Sequence, residues 1–173
     1  MIKEKNDDFY WHCYRYKKWK LYKKKIQNNN SVLKKYHIIF IRENSIDNIK
    51  NIKFETIIVN REFEDKDSLN KLIAKSEYVI VNEDIGTIID LLKDIKSNII
   101  TYGFNSKSTI TMSSVTDDSI QVSVQRNIIS KKSEVEQQEI SLNKEAKSDV
   151  YDIMLLISLL LIHNNEDINN VKF

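Results

Sequence analysis

Residues 78–105, YVIVNEDIGTIIDLLKDIKSNIITYGFN, decide the fold. Tyr78–Asn82 and Asn98–Tyr102 are short apolar runs that end in polar residues or glycine, a pattern typical of strands buried on both faces. The intervening residues 85–96 predict a helix, because their apolar side chains recur at helical spacing: Ile88, Leu91, Leu92 and Ile95. A strand, a helix and a strand in this order predict two parallel strands joined by a right-handed crossover.

The same alternation precedes this stretch. His37–Arg42 and Phe54–Asn60 predict two further buried strands, and Ser68–Lys75 predicts a helix with Ser68 as its cap. The predicted fold class is therefore α/β, with a mostly parallel, Rossmann-like sheet flanked by helices.

After residue 105 the pattern changes to alternating strands. Thr109–Val115 and Ser119–Arg126 surround the turn Thr116-Asp117-Asp118 and predict an added antiparallel β-hairpin. Glu134–Leu142 predicts a strand at the sheet edge. Lys144–His163 predicts the final helix, which begins near Ser148 or Asp149.

The N-terminal region has a different composition. Residues 1–36 hold eleven Lys or Arg against three Asp or Glu, a net charge of +8, which leaves −6 for the rest of a chain with total charge +2. Residues 3–27 predict a helix, so we divide the chain into a basic aromatic helical arm, 1–30, and an α/β domain, 31–173. Eight residues of the arm are its candidate binding residues: Arg15, Lys17, Lys18, Trp19, Lys20, Lys23, Lys24 and Lys25.

Three interpretations of this arm stay open. Interleaved basic and aromatic side chains bind phosphates and stack on nucleic-acid bases. They also lie well at an anionic membrane surface. The third interpretation is an ordinary helix whose aromatic side chains dock on the body while its lysines are solvated.

The composition excludes the common phosphate-binding loops. Such loops need several glycines, and this chain of 173 residues has two, Gly86 and Gly103, and no proline. The single cysteine, Cys13, cannot form an internal disulfide, and the three histidines are far apart, so we expect a reducing compartment and no zinc site. The apolar run Ile153–Ile162 is shorter than the roughly 20 residues that span a bilayer, so we expect a cytoplasmic protein.

The order of these motifs resembles the central domain of Mur ligases, the enzymes that join amino acids to peptidoglycan precursors with ATP. In that family a strand ends in an Asn-x-Asp-Asp-like motif, and a later strand ends in a Thr-Tyr/Phe-Gly motif. A hairpin and a helix opened by His-Asn-x-x-Asn follow. Here the corresponding stretches are Tyr78–Asp84, Asn98–Asn105, Ser108–Arg126 and Ser148–Ile162. The resemblance covers about residues 54–168, and it extends to short Mur-like proteins of AT-rich Gram-positive bacteria.

The departures from the family pattern concern the parts that hold ATP. His37–Ser45 lies where the phosphate loop is expected and contains neither glycine nor lysine. Ser148–Asp152 replaces the His-Asn-x-x-Asn motif, which helps to hold the nucleotide base in the family; Asp152 takes the place of its second asparagine. We also expect the C-terminal ligase domain to be lacking. The resemblance therefore implies a degenerate, non-catalytic relative, because phosphoryl transfer depends on such positioning groups.

Six residues form the predicted ligand cleft, since ligands of parallel sheets bind outside the carboxyl ends of the strands. They are Asn82, Asp84, Asn105, Lys107, Arg126 and Asp152. The alternative interpretation is structural: Asn82 and Asp84 form a turn and helix cap, Gly103 permits a left-handed turn or a close backbone approach, and Arg126 makes a surface salt bridge.

The expected function is a non-catalytic Mur-like binding or assembly module, linked to cell-envelope precursor metabolism. One alternative is a ligase-like enzyme that a partner subunit completes, and another is a binder of nucleic acid or membrane through the arm. We expect another protein as partner, no metal, and no cofactor beyond a residual affinity for ATP and Mg²⁺.

Overall fold

The computed structural model describes residues 8–11, 37–40, 43–49, 51–93, 95–143, 149–163 and 168. The chain divides into two compact units. Unit 1 comprises Met1–Val81 and Ile85–Ile99, and unit 2 comprises Asn82–Asp84 and Ile100–Phe173. Each unit is described by itself.

The described residues of unit 1 form four parallel strands. They are β1 (Asp8–Trp11), β2 (His37–Phe40), β3 (Thr56–Val59) and β4 (Tyr78–Asn82). The first four residues of β4 belong to this unit. The strand order is β4-β3-β1-β2. Every residue of β3 and the first four of β4 are buried. Burial on both faces explains why these strands are continuous runs of apolar, largely β-branched residues rather than alternating ones.

Helix α1 (Lys66–Ile73) covers one face of these strands. The Asp65 side chain accepts a hydrogen bond from the Ser68 backbone N–H at 3.0 Å and so caps the helix. Leu69, Leu72 and Ile73 are buried and belong to one core cluster. The strand residues of that cluster lie on alternate positions of β3 and β4: Ile57, Val59, Val79 and Val81.

Two further segments of unit 1 are short 3-10 helices, Glu43–Asn48 and Ile89–Leu92. The second is the only regular helical part that the structure describes within the predicted helix 85–96, so that prediction is wrong in type and length. The first helical position has no side-chain cap, and Gly86 lies in the preceding turn. Both features weaken an α-helix at its start.

Unit 2 contains a mixed sheet. Its strands are β5 (Asn98–Tyr102), of which the last three residues belong to this unit, β6 (Ile110–Val115), β7 (Ser119–Val124) and β10 (Gln138–Asn143), in the order β10-β7-β6-β5. β5 and β6 pair in parallel, whereas β7 pairs antiparallel with both β6 and β10. The turn between β6 and β7 is the predicted one: the Thr116 backbone N–H donates to the Ser119 carbonyl oxygen at 2.9 Å.

The link between β5 and β6 is short for a parallel connection. Only residues 103–109 separate the strands, whereas a parallel crossover ordinarily needs a dozen residues or more. The register explains it, because Tyr102 at the end of β5 pairs with Ile110 at the start of β6. β6 thus begins level with the end of β5 and extends beyond it.

A second, two-stranded sheet and a helix complete unit 2. β8 (Ile128–Ile129) pairs antiparallel with β9 (Glu134–Val135). Helix α2 (Val150–His163) is buried over most of its length, and its Ser158 hydroxyl is satisfied by donating to the Met154 carbonyl oxygen at 2.8 Å. Among the described residues, no helix combines the length and the apolar character that crossing a membrane requires.

The structure confirms the predicted fold class: α/β, mostly parallel strands with helices, and an added antiparallel hairpin. It corrects the N-terminus, where residues 8–11 are strand β1, paired with β2 and β3, and not part of a helix. Phe9, Tyr10 and Trp11 favour a strand over a helix once neighbouring strands are available for pairing. The rest of the predicted helix and the boundary at residue 30 lie outside the described residues. Ser68 is also not the helix cap, because Asp65 takes that role.

We expect Ile73→Ala to lower the free energy of unfolding by about 2–5 kcal/mol, because it leaves a cavity at the contact between α1 and the strands. Lys71→Ala on the same helix is the matched control, since its side chain is exposed, and it should change the value by no more than about 0.5 kcal/mol. Urea denaturation of both variants measures the difference. Equal effects would contradict this assignment of the core.

Candidate functional site

The predicted cleft residues of unit 2 gather around the segments that follow two strands. Asn82, Glu83 and Asp84 lie at the end of β4, and residues 103–109 follow β5. The two segments are hydrogen-bonded, because the Glu83 backbone N–H donates to the Tyr102 carbonyl oxygen at 2.9 Å. The carboxyl ends of strands are where sheets of this class place ligands.

The Asp84 carboxylate is the centre of this site. Its Oδ2 atom accepts a hydrogen bond from the Phe104 backbone N–H at 2.9 Å and another from the Tyr151 hydroxyl at 2.9 Å. Hydrogen bonds to an ionised acceptor are about twice as strong as neutral ones. Asp84 therefore connects the loop after β5 to the first turn of α2.

Gly103 leaves room for that carboxylate. A Cβ atom at residue 103 would lie 2.9 Å from Cγ, Oδ1 and Oδ2 of Asp84, closer than real Cβ contacts allow. The backbone needs glycine here for close approach and not for a left-handed conformation. Of the two roles that the sequence leaves open for Gly103, the structure selects the first.

Tyr151 contacts the site through its ring as well as its hydroxyl. The rings of Tyr151 and Phe104 meet edge to face, with centroids 5.0 Å apart and an interplanar angle of 85°. The Asp149 side chain accepts from the Tyr151 backbone N–H at 2.9 Å, and the Asp149 carbonyl oxygen accepts from Ile153. Asp149 is therefore the cap of α2, as one of the two predicted candidates.

The neighbouring carboxylate has a separate partner. Glu83 Oε2 accepts from the Ser108 hydroxyl at 2.7 Å, and Ser108 is fully buried. Two amides form local turns: Asn82 Oδ1 accepts from the Asp84 backbone N–H at 3.0 Å, and Asn105 Oδ1 accepts from the Lys107 backbone N–H at 2.9 Å. These are the turn geometries that Asn adopts readily.

The electrostatics of the site favour neutral phenols. Burial raises the pKa of Tyr151 to about 12, and the hydrogen bond to Asp84 together with the charges of Asp84 and Asp149 adds to the effect. Burial also raises the pKa of Tyr102, with smaller contributions from Tyr151, Asp149 and Asp84. Neither phenol is a base at neutral pH.

The structure brings together only part of the predicted site. Asn82, Asp84 and Asn105 lie within the hydrogen-bonded cluster, and Asp152 lies in the first turn of α2, beside Tyr151. The Lys107 and Arg126 side chains are exposed, and no described hydrogen bond or ion pair joins either of them to Asp84. The basic residues of the arm, from Arg15 to Lys25, lie outside the described residues, as does Cys13.

Tyr151 and the Glu83–Ser108 pair are not among the predicted site residues. The available signal was that Tyr151 stands near the start of a helix whose later residues are mostly aliphatic. No group of three or more possible metal ligands occurs among the residues that the structure describes. Because Oδ2 of Asp84 and Oε2 of Glu83 accept hydrogen bonds from neighbouring segments, the evident chemistry of the cluster is that of a structural junction.

No protein-family model matches the sequence, and no curated protein matches it either. What the site can do is therefore inferred from its own residues.

We expect Tyr151 to titrate near pH 12 and its pKa to fall in the Asp84→Ala variant while staying above the ordinary value, because burial remains and only the acceptor that favours the neutral phenol is removed. Since the folded-state pKa lies above the unfolded value, the associated stability is full below pH 10 and is lost between about pH 10 and 12. NMR of isotope-labelled tyrosine, with the Tyr151→Phe spectrum for assignment, measures this. An unchanged titration in Asp84→Ala would show that the hydrogen bond does not matter.

We expect Gly103→Ala to destabilise the protein by about 1–3 kcal/mol, because the new methyl group displaces the Asp84 carboxylate from both of its donors. In the Asp84→Ala background the same substitution should cost markedly less, since the obstructing carboxylate is gone. A double-mutant cycle in urea measures this coupling. Additive effects would mean that the close approach has no energetic importance.

Proposed function

We propose that this chain is a non-catalytic, Mur-ligase-like module that binds or assembles with other molecules in the cytoplasm of a bacterium. The observation that carries the proposal is the state of Asp84. At the strand end where a working enzyme of this class needs a polar group available to its ligand, Oδ2 of this carboxylate already accepts two hydrogen bonds from the protein itself.

The surroundings of Asp84 point the same way. Glu83 is bonded to the buried Ser108, and the amides of Asn82 and Asn105 are used in local turns. A ligand would have to replace these bonds, and each replaced bond reduces the net gain from binding. Groups held in this way suit a scaffold better than a catalytic cleft, in which polar groups are directed at the reacting atoms.

The sequence adds support from composition. Two isolated glycines cannot build a loop in which several backbone N–H groups converge on a phosphate. The order of motifs resembles the Mur ligase central domain, which favours a link to cell-envelope precursors and a protein as partner. A ligase-like enzyme completed by another subunit is the competing proposal that the experiment must separate.

The test combines ATP turnover with thermal unfolding of the purified full-length chain. We expect no ATP hydrolysis and no shift with Mg-ATP or Mg-ADP. A uridine-diphosphate-linked peptidoglycan precursor that binds only the folded chain should add roughly 2.7 kcal/mol of stability at a hundredfold excess over its dissociation constant. Precursor binding without turnover is the result that supports a binding module.

Hydrolysis of ATP by the purified chain would overturn the proposal. If precursor binding occurs, Asp84→Ala should alter it, whereas Asp118→Ala should not. Asp118 is the matched control, because it is an exposed carboxylate of the same unit in the turn between β6 and β7. The absence of any shift would leave assembly with a protein as the remaining form of the proposal.

A further inference from the structure

The loop after β5 is fastened to the end of β4 at two points. At its start the Phe104 backbone N–H donates to Asp84, and at its end the Ser108 hydroxyl donates to Glu83. The two acceptors are consecutive residues. Between the two points, residues 104–107 are all exposed. The segment therefore has the form of a strap across the end of the strand.

The two fastenings differ in how accessible they are. Ser108 is fully buried, and its bond to Glu83 is 2.7 Å long. The bond from Phe104 to Asp84 lies between exposed residues, and the Phe104 side chain is 49% exposed. Solvent-exposed hydrogen bonds open most readily. Asp84 is thus the end that can open, and Ser108 is the hinge.

The closed end receives further support from α2. Tyr151 donates to the same Oδ2 atom of Asp84, although it lies 67 residues further along the chain, and its ring packs edge to face against Phe104. Two donors on one oxygen fix the direction of the carboxylate. The carboxylate also packs against Gly103, so a rotation of its side chain affects both segments at once.

We propose that residues 104–107 form a strap that closes over the end of β4, hinged at Ser108 and latched by the Asp84–Tyr151 hydrogen bond. In the closed strap, Phe104 and Tyr151 both donate to Oδ2 of Asp84, so a ligand with N–H or O–H donors would compete with them for that atom. This inference rests on the hydrogen bonds of unit 2, and it holds whether or not the proposed function is correct.

The proposed latch predicts that the two hydrogen bonds to Oδ2 of Asp84 are coupled. Tyr151 makes no hydrogen bond to the Phe104 amide, yet loss of its hydroxyl should loosen that amide, because the carboxylate is then free to turn. Independent hydrogen bonds would show no such effect.

Amide hydrogen exchange of the full-length chain, followed by NMR, tests this coupling between the Tyr151 hydroxyl and the Phe104 amide. Tyr151→Phe keeps the ring and removes only the hydroxyl. We expect it to speed exchange of the Phe104 amide about three- to tenfold, and Asp84→Ala to speed it by at least about tenfold. The amides of β7, which lie in the sheet and outside the strap, should keep their wild-type rates.

Two results would overturn the proposal. One is an unchanged Phe104 amide in Tyr151→Phe, which would mean that the strap and α2 are not coupled. The other is uniform acceleration throughout unit 2, which would mean that the variant destabilises the fold as a whole. Tyr78→Phe, which alters a buried tyrosine in unit 1, is the matched control and should leave the Phe104 amide unchanged.

Discussion

A carboxylate at the end of a strand needs hydrogen-bond donors, and the donors to Asp84 connect separate segments of unit 2. One donor is a backbone N–H of the following loop, and the other is a phenol at the start of a helix. The first donor brings the loop so near that any Cβ atom at residue 103 would displace the Asp84 carboxylate. The second fixes the first turn of α2. A single acceptor thus determines a residue type in one segment and a side-chain position in another.

The start of α2 has the electrostatics of an anion-binding site, but here it has a structural role. The start of a helix carries a partial positive charge, and many proteins place a substrate phosphate there. In this chain the Asp149 carboxylate accepts from a backbone N–H at the start of α2, and the Asp84 carboxylate accepts from the Tyr151 hydroxyl nearby. Internal acids supply the negative charge that stabilises the helix. An anionic ligand at the same position would meet repulsion unless these carboxylates moved or were neutralised.

The elements that sequence predicts best are those determined locally. β4 and β5 match the predicted boundaries, because each is a short run of β-forming residues between polar segments; β4 is buried on both faces, whereas in β5 only Ile100 and Tyr102 are buried. The strand at residues 8–11 was not predicted. Its partner strands, β2 and β3, lie far along the chain, and the lysines of the N-terminal region favour a helix. Asp84 was predictable as a strand-end acid. Its partner Tyr151 was not, because no periodic pattern records a contact across 67 residues.

The short link between β5 and β6 has a consequence for how the chain folds. Parallel strand pairing ordinarily forms slowly, because the entropy of closing a long chain segment is lost before the strands make any stabilising contact. Here Tyr102 and Ile110 meet across only the loop 103–109, and Thr101 and Thr109 bond to each other eight residues apart. The entropy of closing so short a loop is small. This parallel contact can therefore form on the time scale of a hairpin, early enough to serve as a nucleus for the strands that follow it.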